Sequence, residues 1–321
     1  MKIADWFIPN IKVLKQAGID SARLDCLILL EDVLGYSRAH LLAHLEKEIP
    51  PDKLVILGEK LSRRAAREPI AYIRGFSEFY GRNFNVDRHV LIPRPESEAI
   101  IEILKSLKLP VKPRIVDVGT GSGALAITFA LEINEAYVEA IEISHDALAV
   151  AKLNAKQHNA HVAFYQADLL ALPHWRTISP MRESKIMNQK SKERQKNNLL
   201  ENRRYESLRS SSEGGRIMRK SSGVSRPYDV IVANLPYVAN DQEVSIETTF
   251  EPHGALYAGN DGLELINRLI NQVNEDTLNT AGYLVLESEP RQHARIADIA
   301  AKKGLLLQKT ENFIQVFRIH F

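Results

Sequence analysis

One short stretch restricts the fold more than any other. Ile115-Val116-Asp117-Val118 is a mostly apolar run of strand character, Gly119-Thr120-Gly121-Ser122-Gly123 is a glycine-rich turn, and an apolar helix pattern opens at Ala124. A buried strand running straight into a helix belongs to a parallel sheet covered on both faces. The glycines allow positive φ and let a ligand approach the backbone closely. The same rhythm continues from Arg114 to the C-terminus. Strands are expected near 114–118, 137–143, 161–165, 228–234, 282–287, 305–310 and 313–319, and helices near 124–133, 145–157, 261–274 and 291–303. The last two strands follow without an intervening helix, so one of them runs antiparallel. The expected fold class is α/β, with a Rossmann-like, mostly parallel sheet.

Up to about residue 70 the pattern is helical. Asp20 reads as an N-cap, Leu24, Leu27, Leu30, Val33 and Leu34 follow at helical spacing, and Gly35 stands where a C-terminal capping glycine belongs. Ser37 opens a second helix and Pro51 a third. Short helices with one apolar face must pack on one another, which predicts a small bundle. Phe76, Phe79, Tyr80, Phe84 and Val86 then flank Gly81-Arg82-Asn83, the expected turn of a β-hairpin. Pro93 and Pro95 end the extended stretch. Pro95 suits the first turn of a helix, with Glu96 and Glu98 at its positive end and Ile100, Ile103, Leu104 and Leu107 on one face. The expected division is a helical domain over 1–75, a hairpin linker over 76–95, and a catalytic domain over 96–321.

Residues 175–226 break the rhythm with Ser, Arg, Lys, Asn and Glu and almost no apolar periodicity, so disorder is expected there. Residues 176–226 hold 14 Lys/Arg against 5 Asp/Glu, a balance of +9 that leaves −7 for the rest of a chain whose total is +2. A body of that sign repels phosphates, so contact with nucleic acid or the ribosome must rest on this one segment. No apolar run approaches the ~18 residues of a membrane-spanning helix, and the start of the chain lacks the apolar core of a signal peptide. A cytoplasmic monomer is expected. Cys26, the single cysteine, is expected as a buried thiol, and the ten His are scattered, so neither a disulfide nor a metal site is expected.

Gly119, Gly121 and Ala124 also satisfy the dinucleotide fingerprint, and some glycine turns serve only to pack strand on helix. Two carboxylates sharpen the reading. Glu142 closes the next strand 23 residues after Gly119, where it can accept from both ribose hydroxyls. Asp117, beside the turn, suits an ammonium-bearing ligand better than a pyrophosphate, and S-adenosyl-L-methionine has such a group. Asp168 and Leu169 follow the third strand, where the carboxylate can accept from an adenine amino group and the leucine can cover the ring; Asp168 as a helix cap is the competing reading.

Asn234-Leu235-Pro236-Tyr237 follows the strand that starts at Tyr228, at the carboxyl edge where open α/β sheets bind ligands. Transfer of a methyl to a planar nitrogen requires that the lone pair be turned toward the sulfonium carbon and its conjugation weakened. The Asn234 side-chain oxygen and the Leu235 carbonyl can each accept one N–H of an NH₂ group and hold it in line. Pro236 stiffens the loop, and Tyr237 can stack on a planar amide. A bare Asn-Pro turn is the plain alternative.

With these residues the chain resembles the N5-glutamine methyltransferases that modify the Gly-Gly-Gln loop of class 1 peptide chain release factors, which belong to the class I S-adenosylmethionine-dependent enzymes. The resemblance spans nearly the whole chain: Ala17 to Asp25, Glu68 to Gly75, Glu78 to Gly81, Val90 to Glu96, the glycine turn, the tetrad, and Glu251-Pro252 with Ala255-Leu256 and Gly259 to Gly262. It implies that the helical domain grips the release factor and that the tetrad holds the glutamine amide. Leu235 stands where the family has proline, 175–226 is foreign to its pattern, and the family's Glu-His-Gly run reads Glu287-Ser288-Glu289.

Three other functions fit part of the pattern. A DNA adenine-N6 methyltransferase shares the tetrad but needs a basic recognition surface to take a flipped base, against the −7 body. A non-catalytic protein- or RNA-binding module leaves the complete set of Asp117, Gly119, Gly121, Glu142 and Asn234 without a purpose. A nicotinamide oxidoreductase leaves the tetrad unexplained. The strands flanking the insertion read as one continuous sheet, so replacing 176–226 by a short Gly/Ser linker is expected to preserve methyl transfer to an isolated release factor. A folded, cofactor-binding deletion variant that transfers no methyl would contradict this.

Overall fold

The structure, a computed structural model, describes residues 1–172 and 227–319; the 175–226 insertion, expected to be disordered, lies outside them. Five helices open the chain: α1 (Ile3–Gln16), α2 (Ala22–Leu34), α3 (Arg38–Ala43), α4 (Pro51–Ala65) and α5 (Ile70–Arg74). Gly35 caps α2 in the left-handed conformation, the Ser37 hydroxyl accepts from the His40 N–H, and Pro51 occupies the first turn of α4. Their shared core includes Trp6, Phe7, Leu14, Leu27, Leu30 and Leu57. Cys26 is buried, and burial pushes its thiol up to about 12.

Two local expectations need correction. Asp20 is not the N-cap of α2. The helix begins at Ala22 with Ser21 in that position, and the Ser21 hydroxyl donates to Asp25 at 3.0 Å. Leu24 faces solvent at 43% exposure, while Cys26 and Leu29 join the buried face. At the start of α1 the Asp5 carboxylate accepts from the Lys2 N–H at 3.2 Å, and Pro9 lies in its interior, where proline removes a backbone donor.

Inside the bundle the Asp25 carboxylate accepts from Arg64 Nε at 2.6 Å, with both side chains buried. Arg64 Nη1 also donates to the Glu68 carbonyl at 3.1 Å. Glu247, far along the chain, pairs with Arg67 at 2.7 Å and stands 3.6 Å from Arg64. One carboxylate thus ties the helical segment to the catalytic one.

The hairpin pairs β1 (Phe76–Phe79) with β2 (Arg82–Asn85), Phe79 opposite Arg82. Its turn is therefore Tyr80-Gly81, both at positive φ, and not Gly81-Arg82-Asn83. Two residues at positive φ match the right-handed twist of a tight hairpin. Pro95 begins a short 3-10 turn that runs into α6 (Glu98–Ser106), whose Ile100, Ile101, Ile103 and Leu104 are buried.

The remaining strands are β3 (Arg114–Val118), β4 (Tyr137–Glu142), β5 (Val162–Gln166), β6 (Tyr228–Ala233), β7 (Leu278–Glu287), β8 (Leu305–Glu311) and β9 (Ile314–Ile319). They form one seven-stranded sheet in the order β5-β4-β3-β6-β7-β9-β8, with β5 through β7 parallel and β9 antiparallel to both neighbours. The helices are α7 (Ala124–Glu132), α8 (His145–Gln157), α9 (Glu264–Gln272) and α10 (His293–Ala301). β7 starts four residues earlier than expected because Tyr228 pairs with Leu278 ahead of a bulge.

Strand order reverses beside β3, and the register there positions the site. Val118 pairs with Ile141 and Ala233, and Ala233 with Leu286. The next residue on each strand, Gly119, Glu142, Asn234 and Glu287, therefore stands in one row along the carboxyl edge. This is the switch point at which open parallel sheets bind ligands.

Asp25→Ala would remove the buried Arg64 guanidinium's 2.6 Å partner and leave it only Glu247, 3.6 Å away. Breaking such a pair costs about 3–5 kcal/mol, and a loss of that order is expected in chemical denaturation. A variant within about 1 kcal/mol of the parent would show the pair to be dispensable.

Candidate active site

A cavity of about 620 Å³ opens at this row, within the range of pockets for small ligands. Of the residues expected in the site, Asp117, Gly119, Thr120, Gly121, Ser122, Glu142, Asp168, Leu169, Asn234, Leu235 and Pro236 line it. Gly123 and Tyr237 do not.

The glycine turn is shaped from three directions. Gly119, at φ +77°, sits under Leu235: a Cβ there would come within 2.9 Å of the Leu235 Cδ2. Gly123, at φ +81°, lies against Ile127 and Ala151, so it packs α7 on α8 and sits behind the cavity wall. The Glu142 carboxylate accepts from the Gly121 N–H and the Ser144 N–H, each at 2.9 Å. Glu142 therefore holds the turn open as well as presenting a carboxylate to the cavity.

A contributor that sequence reasoning missed is Asn154 on α8. Fully buried, it donates to the Ser122 carbonyl at 2.8 Å and the Asn85 carbonyl at 3.0 Å, and accepts from the Asn85 N–H at 2.7 Å. It fastens the turn to the hairpin through partners too distant in sequence to be read as a motif.

Asp117 is fully buried and accepts from the Thr120 hydroxyl at 2.6 Å. Burial pushes its carboxyl up to about 6, with the Thr120 hydrogen bond working the other way and the Glu142 charge adding to the rise. A buried carboxylate held by a neutral donor suits a ligand bearing an ammonium group. Asp168 pairs with Arg268 at 2.5 Å on the exposed rim, so its partner is neither a helix end nor the cavity interior. Leu169, at φ +52°, is buried against the cavity.

In the tetrad, Asn234 Nδ2 donates to Ser97 Oγ at 3.0 Å, which leaves Oδ1 as the amide's acceptor. Leu235, in the family's proline position, is buried and contacts Gly119, so the substitution joins the tetrad directly to the glycine turn. The Tyr237 carbonyl accepts from Gln292 Nε2 at 2.9 Å. Burial pushes the Tyr237 phenol up to about 12, helped by the Glu287 and Glu289 charges. Beyond the tetrad, Val238 and Asn240 are hydrogen-bonded to the Leu256–Gly259 stretch, which ties the run after Glu251 to the tetrad. Arg94 lines the cavity and also pairs with the buried Glu251, whose other oxygen accepts from the Ile92 N–H. Glu96 does not line it.

A sheet of this order, with an acidic residue ending the strand after the glycine turn and a polar tetrad on the strand across the switch point, is that of a class I methyltransferase. The cofactor of that class is S-adenosylmethionine, and the buried Asp117 and the strand-end Glu142 fit its ammonium and ribose. Residues 10–75 match the PrmC N-terminal domain and residues 96–176 the methyltransferase small domain. The release factor glutamine methyltransferase of Koribacter versatilis is 33% identical over 291 residues, covering 89% of this chain and 86% of that one. That of Neisseria gonorrhoeae is 34% identical over 285 residues, covering 88% and 86%. This chain belongs to the release factor glutamine methyltransferase family. The catalytic domain of hMettl16, solved with a MAT2A 3'UTR hairpin, shares the fold at 13% identity and a TM-score of 0.50, covering 90% of this chain and 88% of that one. Among the described residues no helix is long and apolar enough to cross a membrane.

The Asp117 carboxyl makes apo stability depend on pH with a definite sign. Its folded pKa of about 6 lies above the ordinary 3.8, so its contribution is fully present below about pH 4 and is lost as pH rises through 6. The difference corresponds to about 3 kcal/mol. Asp117→Asn is expected to raise the apo Tm above pH 6, the gain vanishing toward pH 4, while weakening S-adenosylmethionine binding. Thermal unfolding across pH, with calorimetric titration of the cofactor, checks both directions.

Proposed function

We propose that this protein transfers a methyl group from S-adenosylmethionine to the side-chain amide nitrogen of the glutamine in the Gly-Gly-Gln loop of class 1 peptide chain release factors. The observation that carries the reading is the Asn234 amide, tied by its NH₂ to Ser97 at the carboxyl edge with its oxygen left to accept. Family membership supplies the substrate class.

When bound, S-adenosylmethionine supplies an electrophilic sulfonium methyl. Asp117 takes the cofactor's ammonium and Glu142 its ribose hydroxyls, with Gly119 to Ser122 giving close backbone approach. Leu169 covers the adenine. Asp168, whose Oδ2 pairs with Arg268 on the rim, offers its other oxygen to the adenine amino group. Asn234 Oδ1 and the Leu235 carbonyl each accept one N–H of the glutamine amide, which turns its nitrogen lone pair out of conjugation. Pro236 limits the loop's freedom, and Tyr237, which does not line the cavity, anchors the loop through its carbonyl, which accepts from Gln292. The amide nitrogen becomes strongly acidic only as the methyl arrives, so the proton leaves without a strong base.

The helical segment 1–75 is the release-factor grip in this reading, supported by its match to the PrmC N-terminal domain. The cytoplasm, where translation terminates, is the matching location.

Mass spectrometry of a release factor after incubation with the protein and methyl-labelled S-adenosylmethionine is expected to show one added methyl on the loop glutamine. Asn234→Ala should lower single-turnover transfer by ~10²-fold or more, as loss of one preorganised transition-state partner does, with a smaller effect on cofactor affinity. A folded variant with near-wild-type transfer would remove the tetrad from the reaction.

A further inference from the structure

The row at the carboxyl edge contains one carboxyl that the reaction above does not use. Glu287 ends β7 beside Asn234 and is 2% exposed, and its Oε2 is buried with no hydrogen-bond partner among the described residues. Ser97 is 3% exposed and its Oγ accepts from Asn234 Nδ2 at 3.0 Å; both side chains favour the ionised form of the nearby Glu287 carboxyl.

A serine hydroxyl has one proton to donate. If it is given to a carboxylate, Ser97 Oγ must accept from its other neighbour, and that neighbour must present its NH₂ group. We propose that Glu287, as the carboxylate, is a positioning residue: through Ser97 it fixes the Asn234 amide with Nδ2 inward and Oδ1 toward the substrate NH₂. The inference rests on the amide-methylation reading above.

Protonation reverses the chain. A protonated Glu287 donates to Ser97, whose own proton then goes to Asn234 Oδ1. The amide turns around, and its NH₂ meets the substrate NH₂, donor against donor. Burial pushes the Glu287 carboxyl up to about 7, with Ser97 and Asn234 hydrogen bonds and the Arg94 charge opposing the rise and the Glu96 charge adding to it. Tyr237, the other titratable group facing it, is held neutral by burial. The orientation of Asn234 therefore changes where the enzyme works.

Two measurements on the full chain test this. In single-turnover transfer to a release-factor domain, the wild-type rate is expected to rise with pH through a midpoint near 7. Glu287→Gln should flatten that rise and lower the plateau ~10-fold, by weakening one preorganised contact without deleting it, with cofactor affinity unchanged. Ser97→Ala should do the same, and Ser97→Thr, which keeps the hydroxyl, should restore both rate and pH profile. Independently of activity, the Asn234 side-chain amide resonance should titrate with the same midpoint in wild type and lose that titration in Glu287→Gln. A folded Glu287→Gln enzyme that keeps the wild-type rate and acid limb, or an Asn234 resonance indifferent to pH, overturns the proposal. A wild type that transfers no methyl at any pH overturns the functional reading instead, and the resonance then decides the proposal alone.

Discussion

The register between β3, β4, β6 and β7 is the constraint on which the rest of this structure depends. Parallel strands bring their carboxyl ends to one edge, but a shift of one residue would turn every side chain of a strand to the opposite face. Val118, Ile141, Ala233 and Leu286 stand opposite one another in sequence of pairing, and all four are buried. Their burial prevents slippage, and each residue that follows them is therefore held in the same row. Chemistry is thus placed by apolar packing one residue upstream of it.

Placing polar groups at the end of a buried row carries a desolvation cost, and the structure meets it with specific partners. Glu142 is compensated by two backbone N–H groups, Glu251 by Arg94 and the Ile92 N–H, and Asn154 by carbonyls of β2 and the glycine turn. Asp117 and Glu287 are less fully compensated, and both are the carboxyls that burial pushes upward. The two less compensated members face the cavity or the tetrad, where a ligand or a proton completes them; Glu251 and Asn154 hold the frame, and Glu142 both braces the glycine turn and lines the cavity.

The strands and the chemistry at their ends were legible in the sequence because both are local. Ile115 to Val118 and the run from Tyr228 are buried strands that need no distant information to recognise, and Asp117, Glu142 and Asn234 follow from where those strands stop. What could not be read is contact across the chain. Ser97 meets Asn234 across 137 residues, Glu251 meets Ile92 across 159, and Gln292 meets Tyr237 across 55. Spacing carries no trace of such pairs. The hairpin turn was misplaced for a different reason. Gly81 drew the turn forward, whereas Tyr80 takes positive φ, which non-glycine residues rarely adopt.

Leu235 shows how the site accommodates departure from the family pattern. Proline at that position would restrict the backbone by its ring. Leucine has no such ring, but its side chain is buried over Gly119, whose lack of a Cβ creates the space. A restraint by φ is thereby exchanged for one by packing, and the backbone carbonyl that the proposed reaction uses is retained. The exchange also brings the glycine turn and the tetrad into direct contact through Leu235. The same loop is held from its far side by Gln292 and, beyond Val238, by the stretch that leads back to Glu251 and Glu247. Glu247 in turn reaches Arg67 of the helical segment. Cofactor turn, amide-holding loop and helical segment are consequently one connected set of contacts, so a protein substrate held by the helices would bear directly on the geometry at Asn234.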